Sequence, residues 1–294
     1  MIPSYIYPLS ILLILLAYVP LNAQKGTVMN SRSVKSTILS QDMKYTIYLP
    51  KGYRYSQKRF PVVFLLHGQG GDEKGWTKYG KVDSVVNKLI LNKSIPEMIV
   101  VMPDGRNDYY LNTYDNKVLY EDYFIKELLP FIDSTYRTKP ERTNRAIVGV
   151  SMGGFGATLY GLKHTDKFAA VVGLSAAVRT DSMFVDMDNG YYDARFDGKF
   201  GLKLRGPDRL NPYFQKNSIF KLMEILPLPI LKNTRWYFDC GDDDAFSEGN
   251  CALHLLMTKK QIPHEYRMRD GGHDMEYAKS ALPDVLRFVG VGFR

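Results

Sequence analysis

Residues 145–157, RAIVGVSMGGFGA, place an apolar run directly before a Gly-x-Ser-x-Gly turn. The pattern predicts a strand, a sharp turn and a helix that begins with small residues. Gly149 and Gly153 leave room for a close approach of the strand and the helix, so the hydroxyl of Ser151 would be exposed at the end of a sheet. Ser151 is therefore a candidate nucleophile. The alternative is a chance match in a glycine-rich turn.

A second apolar run, upstream of this turn, ends in a glycine-rich loop. Residues 61–66, PVVFLL, are of the kind that is buried on both faces of a sheet, and HGQGG follows at residues 67–71. Free backbone N–H groups in such a loop can donate to the negative oxygen that develops in acyl transfer. The loop is a candidate oxyanion-binding segment, and the alternative is a simple turn at the end of a strand.

A nucleophilic serine needs a base, and the base needs an acid that orients it. After a serine turn of this kind the chain order is serine, acid, histidine, which leaves His254, His264 and His273 as candidates. His254 falls on a predicted helix, and His264 begins a predicted strand. His273 lies in a loop with two glycines and is the candidate base. The alternative is that His273 caps the last helix beside Asp274.

The candidate acid lies in residues 239–244, DCGDDD, just beyond a predicted strand. Three adjacent carboxylates could bind a divalent metal, but ligands at consecutive positions do not match the alternate spacing of calcium loops. We therefore predict no metal site and one acid that orients the histidine. At this point Asp242, Asp243 and Asp244 remain open as the acid.

Predicted strands alternate with predicted helices along most of the chain. This alternation favours an α/β fold with a doubly wound, mainly parallel sheet, whose active edge lies at the carboxyl ends of the strands. Residues from about 178 to 231 lack the alternation and are rich in Gly, Asp, Tyr and Phe. We interpret them as an insertion over the active face rather than a second domain, with helical content at about 212–226.

The first 23 residues differ in kind from the rest, because an apolar stretch from Leu9 to Val19 is followed by small and polar residues. The pattern predicts a signal peptide at residues 1–23, cleaved near Ala23, and a secreted or periplasmic mature domain at 24–294. The alternative is an uncleaved anchor. No second apolar segment of spanning length follows, so no stable membrane insertion is expected after cleavage.

Composition narrows the classes of partner. The 294 residues are 45% hydrophobic and 24% charged, as in one large globular domain. The net charge of +8 comes from basic residues scattered among acids, which argues against a nucleic-acid partner. Cys240 and Cys251 are the two cysteines, and both a disulfide and two thiols are compatible with the sequence.

Together these segments resemble the α/β-hydrolase esterases of the esterase D type, most closely the feruloyl and acetyl-xylan esterases of carbohydrate esterase family one. The resemblance is carried by residues 48–53 (YLPKGY), 65–71 (LLHGQGG), 149–154 (GVSMGG), 240–244 (CGDDD) and 271–274 (GGHD). They occur in order across nearly all of residues 24–294. The insertion is longer than in the compact feruloyl esterases, which leaves the acyl and alcohol specificity open.

The resemblance implies a triad of Ser151, His273 and Asp244, because the family's acid stands three residues after the glycine of this loop. It also implies that the backbone N–H groups of Gln69 and Met152 bind the oxyanion. Water then resolves an acyl-enzyme on the serine, and neither a metal nor an organic cofactor is needed.

The implied function is hydrolysis of carboxylic esters, with feruloyl or acetyl groups on plant-type polysaccharides or their oligosaccharides as expected substrates. Alternatives are acyl transfer, a general short-chain carboxylesterase or thioesterase activity, and exopeptidase activity. A carbohydrate-binding pseudoenzyme is a further alternative, but it would lack a member of the triad, and none is missing.

Aromatic side chains are candidate substrate contacts. Trp76 follows the glycine-rich loop, and Tyr191, Tyr192 and Phe196 lie in a part of the insertion with too many glycines and aspartates for ordinary core. Stacking surface beside the nucleophile would suit an aromatic acyl group or a sugar. The alternative is that these rings anchor a long loop onto the sheet.

Overall fold

The structure is a computed structural model that describes residues 25–293 of the chain. The predicted signal peptide at residues 1–23 lies outside the described residues. The strands are β1 (Thr27–Ser36), β2 (Gln41–Leu49), β3 (Val62–Leu66), β4 (Ile99–Pro103), β5 (Arg145–Val150), β6 (Ala170–Leu174), β7 (Arg235–Gly241) and β8 (His264–Arg269).

These strands form one sheet in the order β1-β2-β4-β3-β5-β6-β7-β8. β1 and β2 form an antiparallel hairpin at one edge, and β2 pairs antiparallel with β4. The remaining pairs, from β4 across to β8, are all parallel. The predicted α/β-hydrolase fold with a mainly parallel sheet is confirmed.

Helices cover both faces of the sheet. The α-helices are α1 (Lys51–Tyr55), α2 (Gly75–Lys78), α3 (Val82–Leu91), α4 (Tyr120–Tyr123), α5 (Leu129–Thr135), α6 (Met152–Lys163), α7 (Asp181–Val185), α8 (Asn189–Phe196), α9 (Pro212–Asn217), α10 (Ile219–Ile225), α11 (Leu228–Lys232), α12 (Ser247–Lys259) and α13 (Met275–Val291). A π-helical turn (Phe124–Leu128) joins α4 to α5, and 3₁₀ turns occupy Arg142–Asn144 and Gly206–Leu210. Apolar side chains of α3 and α13 pack on one face, and those of α5, α6 and α12 on the other.

This two-sided cover explains the continuous apolar runs of the central strands. Successive side chains of a strand point to opposite faces, so a strand with helices on both sides buries all of them. In β3, Phe64 belongs to one apolar cluster and Leu65 to the other. Every residue of β3, β4, β5 and β6 is buried.

The insertion contains α7 to α11 and is held by an aromatic cluster. Phe184 packs against Phe196, Phe200 and Phe214 with ring centroids 4.7 to 5.8 Å apart. Tyr192 packs against Phe196 at 5.6 Å. The cluster is continuous with the apolar core on one face of the sheet. The insertion is therefore packed onto the sheet through its own aromatic side chains.

Two predicted substrate contacts are corrected by this packing. Tyr192 and Phe196 are 0% and 1% exposed, so neither ring can touch a substrate in this structure. The alternative interpretation, that they anchor the insertion, describes them instead, because rings buried against one another exclude water over a large apolar area. Tyr191, one residue earlier on α8, is 39% exposed.

The structure also bears on two further predictions, which concern membrane-spanning helices and the two cysteines. No helix within residues 25–293 is long and apolar enough to cross a bilayer. Cys240 and Cys251 are both free thiols, so the alternative of a disulfide does not describe this structure. Burial raises the pKa of the Cys240 thiol to about 12.

If the aromatic cluster holds the insertion, Phe196→Ala should lower the free energy of unfolding by about 3–5 kcal/mol, because it leaves a cavity among packed rings. Leu202→Ala, at a side chain in the same insertion that is 58% exposed, is the matched control and should cost less than about 0.5 kcal/mol. Urea denaturation of the two variants measures both values. Equal, small losses would mean that the cluster does not hold the insertion in place.

Candidate active site

The turn after β5 holds Ser151 in an unusual backbone conformation. Its φ is 56° and its ψ is −118°, a region that L-residues rarely occupy. The two glycines make this turn possible, because a Cβ on Gly149 would stand 2.0 Å from the carbonyl oxygen of Gly153. A Cβ on Gly153 would stand 2.6 Å from the carbonyl oxygen of Leu66. The strand and helix can thus approach closely enough to project the serine from the carboxyl edge.

Three predicted residues meet at this edge. The Nε2 atom of His273 lies 2.9 Å from Oγ of Ser151, and its Nδ1 atom lies 2.8 Å from Oδ2 of Asp244. An ionised carboxylate only accepts, so Nδ1 carries a proton and Nε2 of the neutral ring accepts from the serine hydroxyl. The serine, histidine and acid follow β5, β8 and β7, whose carboxyl ends lie along the same edge.

The structure also separates the three adjacent carboxylates. Asp244 is 2% exposed, whereas Asp242 and Asp243 are exposed. Burial alone would raise the pKa of Asp244, but hydrogen bonds from His273 and from the backbone N–H of Phe246 outweigh it and hold that pKa below its usual value. The acid therefore remains an ionised acceptor at neutral pH. On the exposed side of the loop, Asp242, Asp243 and Asp270 bring carboxylate oxygens within 4.8 Å of one another.

The glycine-rich loop after β3 lies against the serine. A Cβ on Gly68 would be 3.2 Å from Cβ of Ser151, so only glycine lets the loop approach this closely. Neither the N–H of Gln69 nor that of Met152 donates a hydrogen bond to another of the described residues. Both predicted oxyanion donors are thus available to a ligand.

His67 fixes the shape of this loop, a role that the sequence analysis missed. Its Nε2 atom accepts from the N–H of Gly105 at 2.8 Å, so the ring proton lies on Nδ1, which donates to the carbonyl oxygen of Gly68 at 2.7 Å. Tyr110 donates to the carbonyl oxygen of His67 at 2.9 Å. The position of His67 directly before the glycines was the available signal, but its partners come from a loop about 40 residues away.

The other histidine candidates pair with each other away from the serine. Nδ1 of His254 lies 2.8 Å from Nε2 of His264, and Nδ1 of His264 lies 2.7 Å from the carbonyl oxygen of Ile262. His254 stacks on Tyr266 with the rings 10° from parallel. Neither histidine is in hydrogen-bonding contact with Ser151.

A cleft of about 480 Å³ opens beside the serine and histidine. Its lining is mixed and includes Trp76, Tyr79, Met275, Gln69 and the cationic Lys74 and Lys78. Trp76 is 1% exposed and its indole N–H donates to the carbonyl oxygen of Leu66 at 3.1 Å. This tryptophan thus supports the end of β3, and its burial corrects the prediction that Trp76 contacts the substrate.

Comparison with known proteins identifies the family of this chain. The family model described as Esterase matches residues 36–289. The chain belongs to the Esterase family. Its similarity to Esterase Rv1288 of Mycobacterium tuberculosis (strain ATCC 25618 / H37Rv) is 30% identity over 260 residues, which cover 82% of this chain and 53% of that protein. The chain thus spans about half the length of that relative.

Two further relatives carry feruloyl esterase names. The endo-1,4-beta-xylanase/feruloyl esterase of Xylanibacter ruminicola is 36% identical over 129 residues, which cover 42% of this chain and 18% of that protein. A solved structure of a ferulic acid esterase matches with a TM-score of 0.78 at 31% identity, covering 92% of this chain and 99% of that one. The resemblance to the feruloyl esterases is confirmed.

Only one carboxylate of the acidic loop reaches His273, so we expect Asp244→Asn to lower kcat for ester hydrolysis by roughly 10³-fold or more. Asp243→Asn, at an exposed neighbouring carboxylate, is the control and should stay within about twofold, as a solvated side chain makes no contact with the imidazole. Steady-state kinetics on 4-nitrophenyl acetate measures both. Equal losses would mean that the loop acts as a unit.

Proposed function

We propose that the protein is a serine esterase that removes feruloyl or acetyl groups from plant-type polysaccharides or their oligosaccharides. The observation that carries the proposal is the position of His273, whose two ring nitrogens lie 2.9 Å from Ser151 and 2.8 Å from Asp244. A neutral imidazole held in this way by a carboxylate can take the proton of a serine hydroxyl. We also propose export of the mature domain, on the sequence of residues 1–23.

The chemistry that these groups support proceeds in two halves. His273 removes the proton from Ser151 as its oxygen attacks the ester carbonyl, and the same proton then passes to the departing alcohol. The N–H groups of Gln69 and Met152 receive the negative charge on the carbonyl oxygen. Water, deprotonated by the same histidine, hydrolyses the acyl-enzyme. Asp244 stabilises the imidazolium in each half.

The wall of the cleft supports an aromatic acyl group. Tyr79 lines the same cleft as Ser151, and its side chain is 54% exposed. A planar ring gains contact area and stacking energy on such a surface, whereas an acetyl group is too small to reach it. The names of two relatives, a feruloyl esterase and a ferulic acid esterase, agree with this preference.

Removing the nucleophile tests the chemistry. Ser151→Ala should lower kcat by roughly 10³-fold or more on every ester, because no covalent intermediate can form. Circular dichroism and the urea midpoint should match those of the unsubstituted protein. A folded variant with near-normal turnover would remove Ser151 from the mechanism.

Removing the ring of Tyr79 tests the preference for an aromatic acyl group. Tyr79→Ala should raise KM for methyl ferulate roughly 2- to 10-fold, the range that one aromatic contact supplies, with a smaller change for 4-nitrophenyl acetate. Tyr55→Ala is the control, since Tyr55 is 62% exposed and lies on α1, outside the cleft lining. Equal changes on both esters would exclude Tyr79 as an acyl-binding side chain.

A further inference from the structure

Two arginines of the insertion contact residues around the proposed catalytic groups, although neither is among the residues that line the cleft. Arg179 comes two residues after Ala177, whose N–H donates to the carbonyl oxygen of Ser151 at 2.9 Å. Its guanidinium lies 4.6 Å from the ring centroid of Phe246. Phe246 in turn packs edge-on against His273 at 5.0 Å. One aromatic ring therefore separates this cation from the proposed base.

Arg195, on α8, contacts one residue that lines the cleft. Its guanidinium lies 4.2 Å from the ring centroid of Tyr191, and its Nη1 donates to Oε1 of Gln69 at 3.4 Å. Gln69 lines the cleft and supplies a proposed oxyanion N–H. Arg179 also contacts Tyr191, donating to its hydroxyl at 3.3 Å. Tyr191 thus lies between the two guanidinium groups.

The two positive charges act at one place. Burial raises the pKa of Tyr109, and the charges of Arg179 and Arg195 both oppose that rise. Tyr109 packs on Phe155, in the helix that begins at the serine turn, with ring centroids 5.9 Å apart. Both cations therefore act on one side chain, Tyr109, which packs against the helix that follows Ser151.

Neither guanidinium has a carboxylate partner within 4.0 Å among residues 25–293. Arg179 is only 9% exposed, and its hydrogen bonds to Ala177 and Tyr191 are long, at 3.5 and 3.3 Å. Its other hydrogen-bonding partner is the uncharged hydroxyl of Tyr109. Nε of Arg195 is buried with no hydrogen-bond partner. A guanidinium withdrawn from water normally has a counter-ion. The buried Arg179 has none among the described residues, and the partly buried Arg195 also lacks one.

Arg205, elsewhere in the insertion, provides the contrast. It binds both carboxylate oxygens of Asp193 at 2.7 Å in a paired, exposed arrangement. Arg209 is buried, but its guanidinium donates to several backbone carbonyls and to the side chain of Asn189. These two arginines are satisfied within the insertion, whereas Arg179 and Arg195 are not.

We infer that Arg179 and Arg195 form a subsite for a carboxylate group on the ester substrate. A guanidinium binds a carboxylate through paired N–H donors, and the partly dry position strengthens that contact. The inference rests on the proposed function, because the subsite lies beside Ser151 and selects among esters cleaved there. The enzyme then takes an aromatic group and an acidic group of its substrate at separate places around the serine.

The carboxylate can belong to either half of the ester, and two matched pairs distinguish the halves. On the acyl side, 4-nitrophenyl hydrogen glutarate is compared with 4-nitrophenyl pentanoate. On the alcohol side, acetylated galacturonic acid is compared with acetylated galactose. We expect kcat/KM to favour the acidic member of one pair by roughly 10-fold or more, and the preference to fall as salt rises from 0.05 to about 0.5 M.

The variants test whether the arginines cause the preference. Arg195→Gln and Arg179→Gln should each lower the acidic-to-neutral ratio of kcat/KM by roughly 10- to 100-fold, the range for a hydrogen bond to a charged group. Arg195→Lys should retain part of the ratio, because it keeps the charge but loses the paired donors. Arg205→Gln, which removes a paired and exposed arginine, is the control and should keep the full ratio.

The outcomes separate this inference from the proposed function. No preference in either pair, or equal losses on acidic and neutral esters, would overturn the subsite and assign both arginines to packing, while esterase activity stands. Should no ester be turned over, binding of each pair to Ser151→Ala by calorimetry still decides the preference. If Arg179→Gln fails to fold, Arg195→Gln alone tests the inference, because Arg195 is only partly buried.

Discussion

The backbone of Ser151 is the constraint on which the rest of the site depends. A residue at φ 56° and ψ −118° persists only where its surroundings enforce it, and here they do so through contacts that exclude a Cβ at Gly149 and Gly153. The N–H of Ser151 is also tied to the carbonyl oxygen of Leu174 at 2.9 Å. The strain is therefore held by the centre of the sheet, where every strand residue is buried.

The parallel sheet brings other segments of the chain next to Ser151. Parallel strands end at the same edge, so groups that follow β5, β7 and β8 converge although they are far apart in the chain. The loop after β3 approaches from the other side, with Gly68 against the serine and His67 bonded to Gly105. Four separate segments thus meet, and each contributes only part of the site.

The insertion has a buried aromatic core and a more polar edge. Its phenylalanines and Tyr192 pack with one another and with the sheet. At the edge, Arg195 contacts the exposed Tyr191 and Gln69, a residue of the cleft lining. Cations held there by aromatic rings, rather than by carboxylates, remain able to bind an anion.

The sequence by itself determined the features that depend on near neighbours in the chain. These features are the apolar runs, the glycines on either side of Ser151, and the two glycines before His273. They predicted the parallel sheet and the contact between Ser151 and His273. Family resemblance was needed to choose Asp244 among three adjacent acids. Only the tertiary structure decided that Tyr192 and Phe196 are buried, that Arg179 packs on Phe246 and that Arg195 contacts Gln69. The physical reason is that side chains in an irregular segment are oriented by contacts remote in sequence, which no local periodicity records.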